Sequence, residues 1–271
     1  MLKQRLITVA VILPLLIGMI FLAPNALWSA LAAVAAAAGA LEWARLVGFG
    51  RRERIALVVA VLLSCAVFLA VILLSAQWRH ALAQAVYALA MVFWAVAVPA
   101  WLHFRWRVSN RLLLAAAGWM VLVPSWLAIT TLQLVPLVLF LTLGAVWIAD
   151  TAAYFAGKRF GRHKLAPEIS PGKTIEGVIG AFIAVVLYVI VVSGIFLRDA
   201  VLADRLALLL FALVLTAFSV AGDLFESWIK RQAGAKDSGD MLPGHGGVLD
   251  RIDSLTAALP FAALFLARVV A

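Results

Sequence analysis

The sequence predicts an all-α polytopic membrane protein, and three observations lead there. Of its 271 residues, 66% are hydrophobic and 13% charged, with a mean hydropathy of +1.11; soluble domains hold about 45–50% apolar and about 25% charged residues. The apolar residues gather into stretches of about 20, the length at which a helix rising about 1.5 Å per residue crosses about 30 Å of hydrocarbon. These stretches are continuous rather than alternating, which selects helices over barrel strands. The composition excludes a water-soluble fold, a disordered chain, a coiled coil and a disulfide scaffold. The lone Cys65 lies in an apolar run and has no second cysteine to pair with.

Nine spans are expected, at Leu6–Ala23, Ala26–Leu46, Ile55–Ala76, Ala81–Leu102, Leu112–Thr131, Leu134–Phe155, Ile175–Leu197, Leu206–Trp228 and Ser254–Val270. Lys3 and Arg5 before the first stretch resemble the start of a signal peptide. That stretch is longer than the usual apolar region of about 7–15 residues, so it reads as a retained span. Pro24 and Asn25 turn the chain between the first two spans. No internal repeat is evident.

Charge orients these spans. The N-terminus and the segments following spans two, four, six and eight hold 18 of the 22 Lys and Arg residues; the other side keeps Arg79, Arg198, Arg205 and Arg268. Basic loops stay in the cytoplasm, so the N-terminus is expected inside and the C-terminus outside. The net charge of +9 is read as this asymmetry and not as a nucleic-acid surface. Of the 13 acids only Asp199 and Asp204 fall on the outer side, and most of the others follow residue 149. Ionisable groups at the edge of apolar helices are costly and tend to mark function. Residues 1–133 are therefore expected to be a five-helix scaffold, and residues 134–271 a four-helix catalytic region with cytoplasmic loops.

The densest polar stretch runs from Gly222 to Ser254. Asp223, Glu226, Ser227 and Lys230 are spaced to share one helix face, and Asp250, Asp253 and Ser254 repeat the first three steps of that spacing. Carboxylates from two neighbouring helices form a hard oxygen site of the kind Mg²⁺ takes together with phosphate oxygens and water. The histidines lack the partners zinc requires. Lys230, Arg231, Lys236 and Arg251 supply positive charge for phosphates, while Gly239, Gly244, Gly246 and Gly247 let the backbone approach a ligand. Upstream, Asp150, Thr151 and Tyr154 precede Gly157 and Lys158, and the run Ser170-Pro-Gly-Lys173-Thr174-Ile-Glu-Gly177 enters the seventh span. Ser170, Lys173 and Thr174 can hydrogen-bond phosphate or ribose, with helix capping as the structural alternative. Gly172-Lys173-Thr174 lacks the strand and the earlier glycine of a P-loop.

The downstream stretch closely resembles the signature of the phosphatidate cytidylyltransferases, or CDP-diacylglycerol synthases. It is met at Ser227, Lys230, Arg231, Lys236, Asp237, Gly239, Leu242, Pro243, His245, Gly246, Gly247, Asp250, Arg251 and Asp253. The Ser170–Gly177 run resembles an upstream element of the same family. The resemblance implies a nucleotidyltransferase that makes CDP-diacylglycerol and pyrophosphate from CTP and phosphatidic acid. It makes Asp223, Lys230 and Asp250 the expected catalytic residues, and Asp223, Asp250 and Asp253 the expected Mg²⁺ ligands, with a second cation such as K⁺. Ser170, Lys173, Thr174, Ser227, Arg231, Lys236, His245, Gly246, Gly247 and Arg251 are the expected substrate contacts. The expected setting is a bacterial inner membrane with the site on its cytoplasmic side. CTP, phosphatidic acid and the bilayer are the expected partners, no nucleic acid is expected, and a homodimer is carried as an expectation. Two other readings stand beside this one: a CTP-dependent lipid-alcohol kinase, and a cation or lipid transporter.

The charge asymmetry makes a direct prediction. With Cys65 replaced, cysteines placed at Arg52 and Arg162 are labelled only from the cytoplasm, and one at Asp199 only from outside. Labelling of positions 162 and 199 from the same side would overturn the span count.

Overall fold

The computed structural model describes residues 13–74, 76–198, 201–241 and 246–266. Ten helices account for most of them: α1 Leu13–Leu22, α2 Asn25–Leu46, α3 Arg51–Leu74, α4 Ala76–Val92, α5 Val98–Phe104, α6 Arg111–Leu132, α7 Pro136–Phe160, α8 Ile175–Phe196, α9 Leu202–Gln232 and α10 Leu249–Phe265. A π-helical turn at Phe93–Ala97 joins α4 to α5 into one continuous rod. A helix lies at each of the nine expected positions within the described residues. Seven runs are long and apolar enough to cross a membrane: α2, α3, the α4–α5 rod, α6, α7, α8 and α9. Of the first expected span the described part is α1, and α10 stands for the last.

Two departures from expectation bear on the site. The ninth helix begins at Leu249, ahead of the expected Ser254, so Asp250 and Asp253 project from its first turns. The connection between α7 and α8 is not a plain loop. It forms an antiparallel hairpin of β1 Lys164–Ala166 and β2 Ser170–Thr174, with Lys164 opposite Thr174 and Ala166 opposite Ser170. Glu176 closes the neck of this hairpin. Its carboxylate accepts the backbone N–H of Arg162 (3.1 Å) and lies 2.6 Å from the His163 ring.

Hydrocarbon supplies no hydrogen bonds, so polar groups inside the bundle must satisfy one another. The tryptophans of α2 and α6 do so reciprocally: Trp28 Nε1 donates to the Ile129 carbonyl, Trp43 Nε1 to that of Leu114, and Trp126 Nε1 to that of Ser29. Pro260 inside α10 lacks the N–H that would bond the Thr256 carbonyl one turn back. Ser125 Oγ of α6 lies 2.8 Å from that carbonyl and 2.6 Å from the Val121 carbonyl, sharing its one proton between them. Around Phe225 of α9 gather Phe93, Trp94, Trp101 and Trp43, with ring centroids 5.4–6.1 Å away. This aromatic box fixes the turn of α9 that carries Glu226 and Ser227.

Close approach of small residues draws the last four helices together, as is common where helices pack in lipid. A Cβ at Gly180 of α8 would stand 2.4 Å from Ala156 Cβ of α7, and one at Gly222 of α9 would stand 2.4 Å from the Asp253 carbonyl of α10. The second contact holds the two acid-bearing helices at a fixed separation. Gly222→Ala is therefore expected to cost about 1–3 kcal/mol, the usual scale for overpacking, seen as a lower unfolding temperature in detergent. Gly194→Ala, where a Cβ meets nothing within 4 Å, is expected to leave the melt unchanged.

Candidate active site

The polar ends of α7, α8, α9 and α10 and the hairpin enclose a cavity of about 610 Å³, within the usual range for ligand pockets of about 300–1,000 Å³. Asp150, Asp223, Asp250, Asp253 and Ser254 line it together with Lys158, Ser170, Lys173 and Thr174. Each element delivers its residues for a local reason. Helix α9 stays helical to Gln232, so Asp223, Glu226, Ser227 and Lys230 do share one face. Ser227 Oγ donates to Asp223 Oδ1 at 3.4 Å. The hairpin projects Lys173 across to α9, where its Nζ pairs with Asp223 Oδ2 at 2.6 Å.

Lys230 is the most enclosed cation of the site. Its Nζ stands 2.8 Å from Glu226 Oε2 one turn back and 2.7 Å from Asp250 Oδ1 on α10, with the side chain 12% exposed. It is paired within the protein. Asp150 on α7 accepts from Ser219 Oγ (3.4 Å) and Ser254 Oγ (3.3 Å), tying α7 to α9 and α10. Asp223 is near enough to Asp150 and Asp253 for their charges to repel.

Several of the expected substrate contacts also bond within the protein. The Thr174 hydroxyl accepts the Gly177 N–H at 3.1 Å and caps α8 while still lining the cavity. Arg231 donates from Nε to the Ile169 carbonyl (3.1 Å) and from Nη1 to that of Ala235 (3.4 Å), bracing the hairpin against the α9 terminus. The Gly247 N–H, expected to turn toward a ligand, donates to Asp250 Oδ2 at 2.8 Å. Gly246 is left-handed at φ +80°, a conformation that glycine adopts without strain. Lys236 and Arg251 are exposed, and His245 lies outside the described residues.

Asp250 is more fully engaged than its spacing suggested. Its Oδ2 accepts from the Ser238 N–H (2.9 Å) and the Gly247 N–H and lies 3.0 Å from Ser238 Oγ, so Oδ1, shared with Lys230, is the oxygen left to meet a ligand. Among the described residues no three His, Cys, Asp or Glu side chains converge into a closed metal cage. The donors nonetheless fit Mg²⁺, which takes one or two carboxylates and completes its shell with substrate phosphates and water.

One residue was missed. Glu42, in the half expected to be scaffold, is fully buried and meets the loop before α10. Its signal was present, since a lone acid inside an apolar helix marks a function or a buried partner.

A family model described as the cytidylyltransferase family matches residues 3–269. The phosphatidate cytidylyltransferase of Pseudomonas aeruginosa is 42% identical over 97% of this chain and 97% of its own length. Those of Haemophilus influenzae and Bacillus subtilis are 52% and 46% identical over 123 residues, which is 44% and 45% of this chain and 42% and 44% of theirs.

The acids of the cavity and the acid beyond it should behave differently. Asp223→Asn is expected to lower turnover by about 10²-fold or more, the scale for losing one preorganised charge partner, with a smaller loss of melting temperature than Asp250→Asn because its pair with Lys173 is less buried. Asp250→Asn is expected to lose both turnover and stability, because an amide nitrogen would face the donors at Oδ2. Asp204→Asn, at the opposite end of α9, is expected to keep both. Equal loss in all three would show that these acids are structural.

Proposed function

Because this chain belongs to the cytidylyltransferase family, we infer that it transfers the CMP moiety of CTP to phosphatidic acid, giving CDP-diacylglycerol and pyrophosphate. The observation that carries this reading is one cavity lined by both stretches, by Ser170, Lys173 and Thr174 of the upstream run and by Asp250 and Asp253 of the downstream one, with Lys173 paired to Asp223 across it. A phosphate oxygen of phosphatidate attacks the α-phosphorus of CTP, and the α–β bridging bond breaks with its electron pair leaving on pyrophosphate. A phosphomonoester with a second pKa of about 6 is already largely dianionic at neutral pH, so the nucleophile requires no strong base. Positioning and charge stabilisation then dominate.

The charge balance supports a role for cations. Five carboxylates, at Asp150, Asp223, Glu226, Asp250 and Asp253, stand with three lysines, Lys158, Lys173 and Lys230. A triphosphate brought among them would meet net repulsion. One or two of the carboxylates of Asp223, Asp250 and Asp253 would hold Mg²⁺, with a second cation such as K⁺ beside it, and bound Mg²⁺ would neutralise charge gathering on the phosphates. Lys158 and Lys173 are placed to hold phosphate oxygens from the α7 and hairpin sides, and Ser170 to orient them. Lys236 and His245 from the loop and Arg251 from the first turn of α10 belong to the same reading as substrate contacts.

The proposal extends to the whole chain. Nine spans with the N-terminus cytoplasmic and the C-terminus outside place this cavity on the cytoplasmic face, where CTP is found, while the acyl chains stay between helices. The bacterial relatives support an inner membrane as the setting. Residues 1–133 hold residues 134–271 in place, and a homodimer is compatible with the lipid-facing surfaces. A lipid-alcohol kinase would use similar groups but move the γ-phosphoryl group, and a transporter would release no pyrophosphate.

Purified protein in detergent with CTP, phosphatidic acid and Mg²⁺ is expected to form lipid-linked CMP; its absence across acyl chains and detergents would overturn the reading. Within that assay Lys230→Met is expected to lower kcat about 10²-fold and to change KM for CTP less. Near-normal turnover with normal expression would end the catalytic assignment of Lys230.

A further inference from the structure

We propose that Glu42 is a positioning residue of the active site: from the C-terminal end of α2 it sets the first turn of α10 and, through Ser238, the orientation of Asp250. Glu42 has no solvent exposure, and three donors converge on its carboxylate. Ser238 Oγ (3.0 Å) and the Leu249 N–H (2.9 Å) meet Oε2, and the Val248 N–H (2.9 Å) meets Oε1. The first amides of a helix have no partner within it and carry the positive end of its dipole. Helix α10 has no side-chain cap of its own, so a carboxylate 206 residues away in sequence supplies one.

The loop is shaped around this carboxylate. A Cβ at Gly239 would stand 2.8 Å from Glu42 Oε1, and one at Gly247 would stand 2.5 Å from Oε2 and 2.1 Å from Ser238 Oγ. Two glycines of the loop are therefore accounted for by Glu42, with no ligand invoked. The Ser238 hydroxyl lies 3.0 Å from Glu42 Oε2 and 3.0 Å from Asp250 Oδ2 and shares its one proton between them, so one buried side chain joins Glu42 to Asp250. With Oδ2 held by Ser238 and Gly247, Asp250 Oδ1 is aimed at Lys230. Glu42 is itself fixed from both sides: Gly39 one turn back packs on Leu249, and the neighbouring Trp43 bonds the Leu114 carbonyl.

The alternative is a cap that stabilises the fold and leaves the chemistry alone. The two differ in kinetics, since a misplacement near 1 Å at a reacting centre can cost about 10²-fold in rate. This test rests on the cytidylyl-transfer reading, and it uses the full chain in detergent. Glu42→Gln keeps the volume but turns an N–H toward donors; it is expected to lower kcat at least about tenfold while KM for CTP stays within about threefold. Ser238→Ala leaves both amide bonds to Glu42 intact, so it tests the same route if Glu42→Gln fails to accumulate, and it is expected to lower kcat similarly. The double variant is expected to be no slower than the slower single variant, because both act on Asp250 through one link. Glu53→Gln, an acid of the same half paired with Arg111, is expected to match the wild type. Wild-type kcat in Ser238→Ala, or losses that multiply in the double variant, would overturn the proposal. Hydrogen exchange without substrate keeps the two readings apart. Faster exchange of the Val248 and Leu249 amides in Glu42→Gln is expected even if the wild type made no lipid-linked CMP, and unchanged exchange would overturn the proposal by itself.

Discussion

The Lys230 ammonium lies between Glu226 Oε2 and Asp250 Oδ1, at 2.8 and 2.7 Å, and the site is organised around that contact. Charges at the edge of hydrocarbon persist only when paired or solvated, and here one cation is shared by carboxylates from two helices. Removing one partner of a buried pair leaves the other uncompensated, which is far worse than never having built it. The pairing therefore joins α9 to α10 at the end where Gly222 has already brought their backbones together. Lys173 on Asp223 repeats the arrangement one step away, and in doing so latches the hairpin onto α9.

The rest of the bundle serves to make those contacts rigid. Phe225, next to Glu226, is enclosed by four aromatic rings from α2, the π-helical turn and α5. Ser125 bonds the carbonyl left open by Pro260, so α6 grips α10 just beyond the turns that carry Asp250 and Asp253. Glu42 holds the start of the same helix. Two contacts from the first half thus converge on α10 and a third on α9, so the geometry of the acid-bearing helices is set in part by residues 1–133.

The helices were legible because membrane spans declare themselves by length and hydropathy, and the shared face of Asp223, Glu226, Ser227 and Lys230 followed from helical spacing alone. The hairpin was not legible, because three- and five-residue strands in a charged loop carry too little apolar alternation to be seen. Spacing could place Gly247 and Arg231 in the right region but not say what they bond; the Gly247 N–H serves Asp250, and the Arg231 guanidinium serves backbone carbonyls. Glu42 was visible as a lone acid in an apolar helix. Its partner was hidden, since a contact spanning 206 residues has no local signature.

The central claim is that this cavity moves the α-phosphorus of CTP onto a lipid phosphate. CTP labelled at the α-phosphorus and CTP labelled at the γ-phosphorus, each given to the purified protein with phosphatidic acid and Mg²⁺, test it most directly. The account predicts that α-label enters the lipid while γ-label leaves as pyrophosphate, in equal amounts. Appearance of γ-label in the lipid would contradict it.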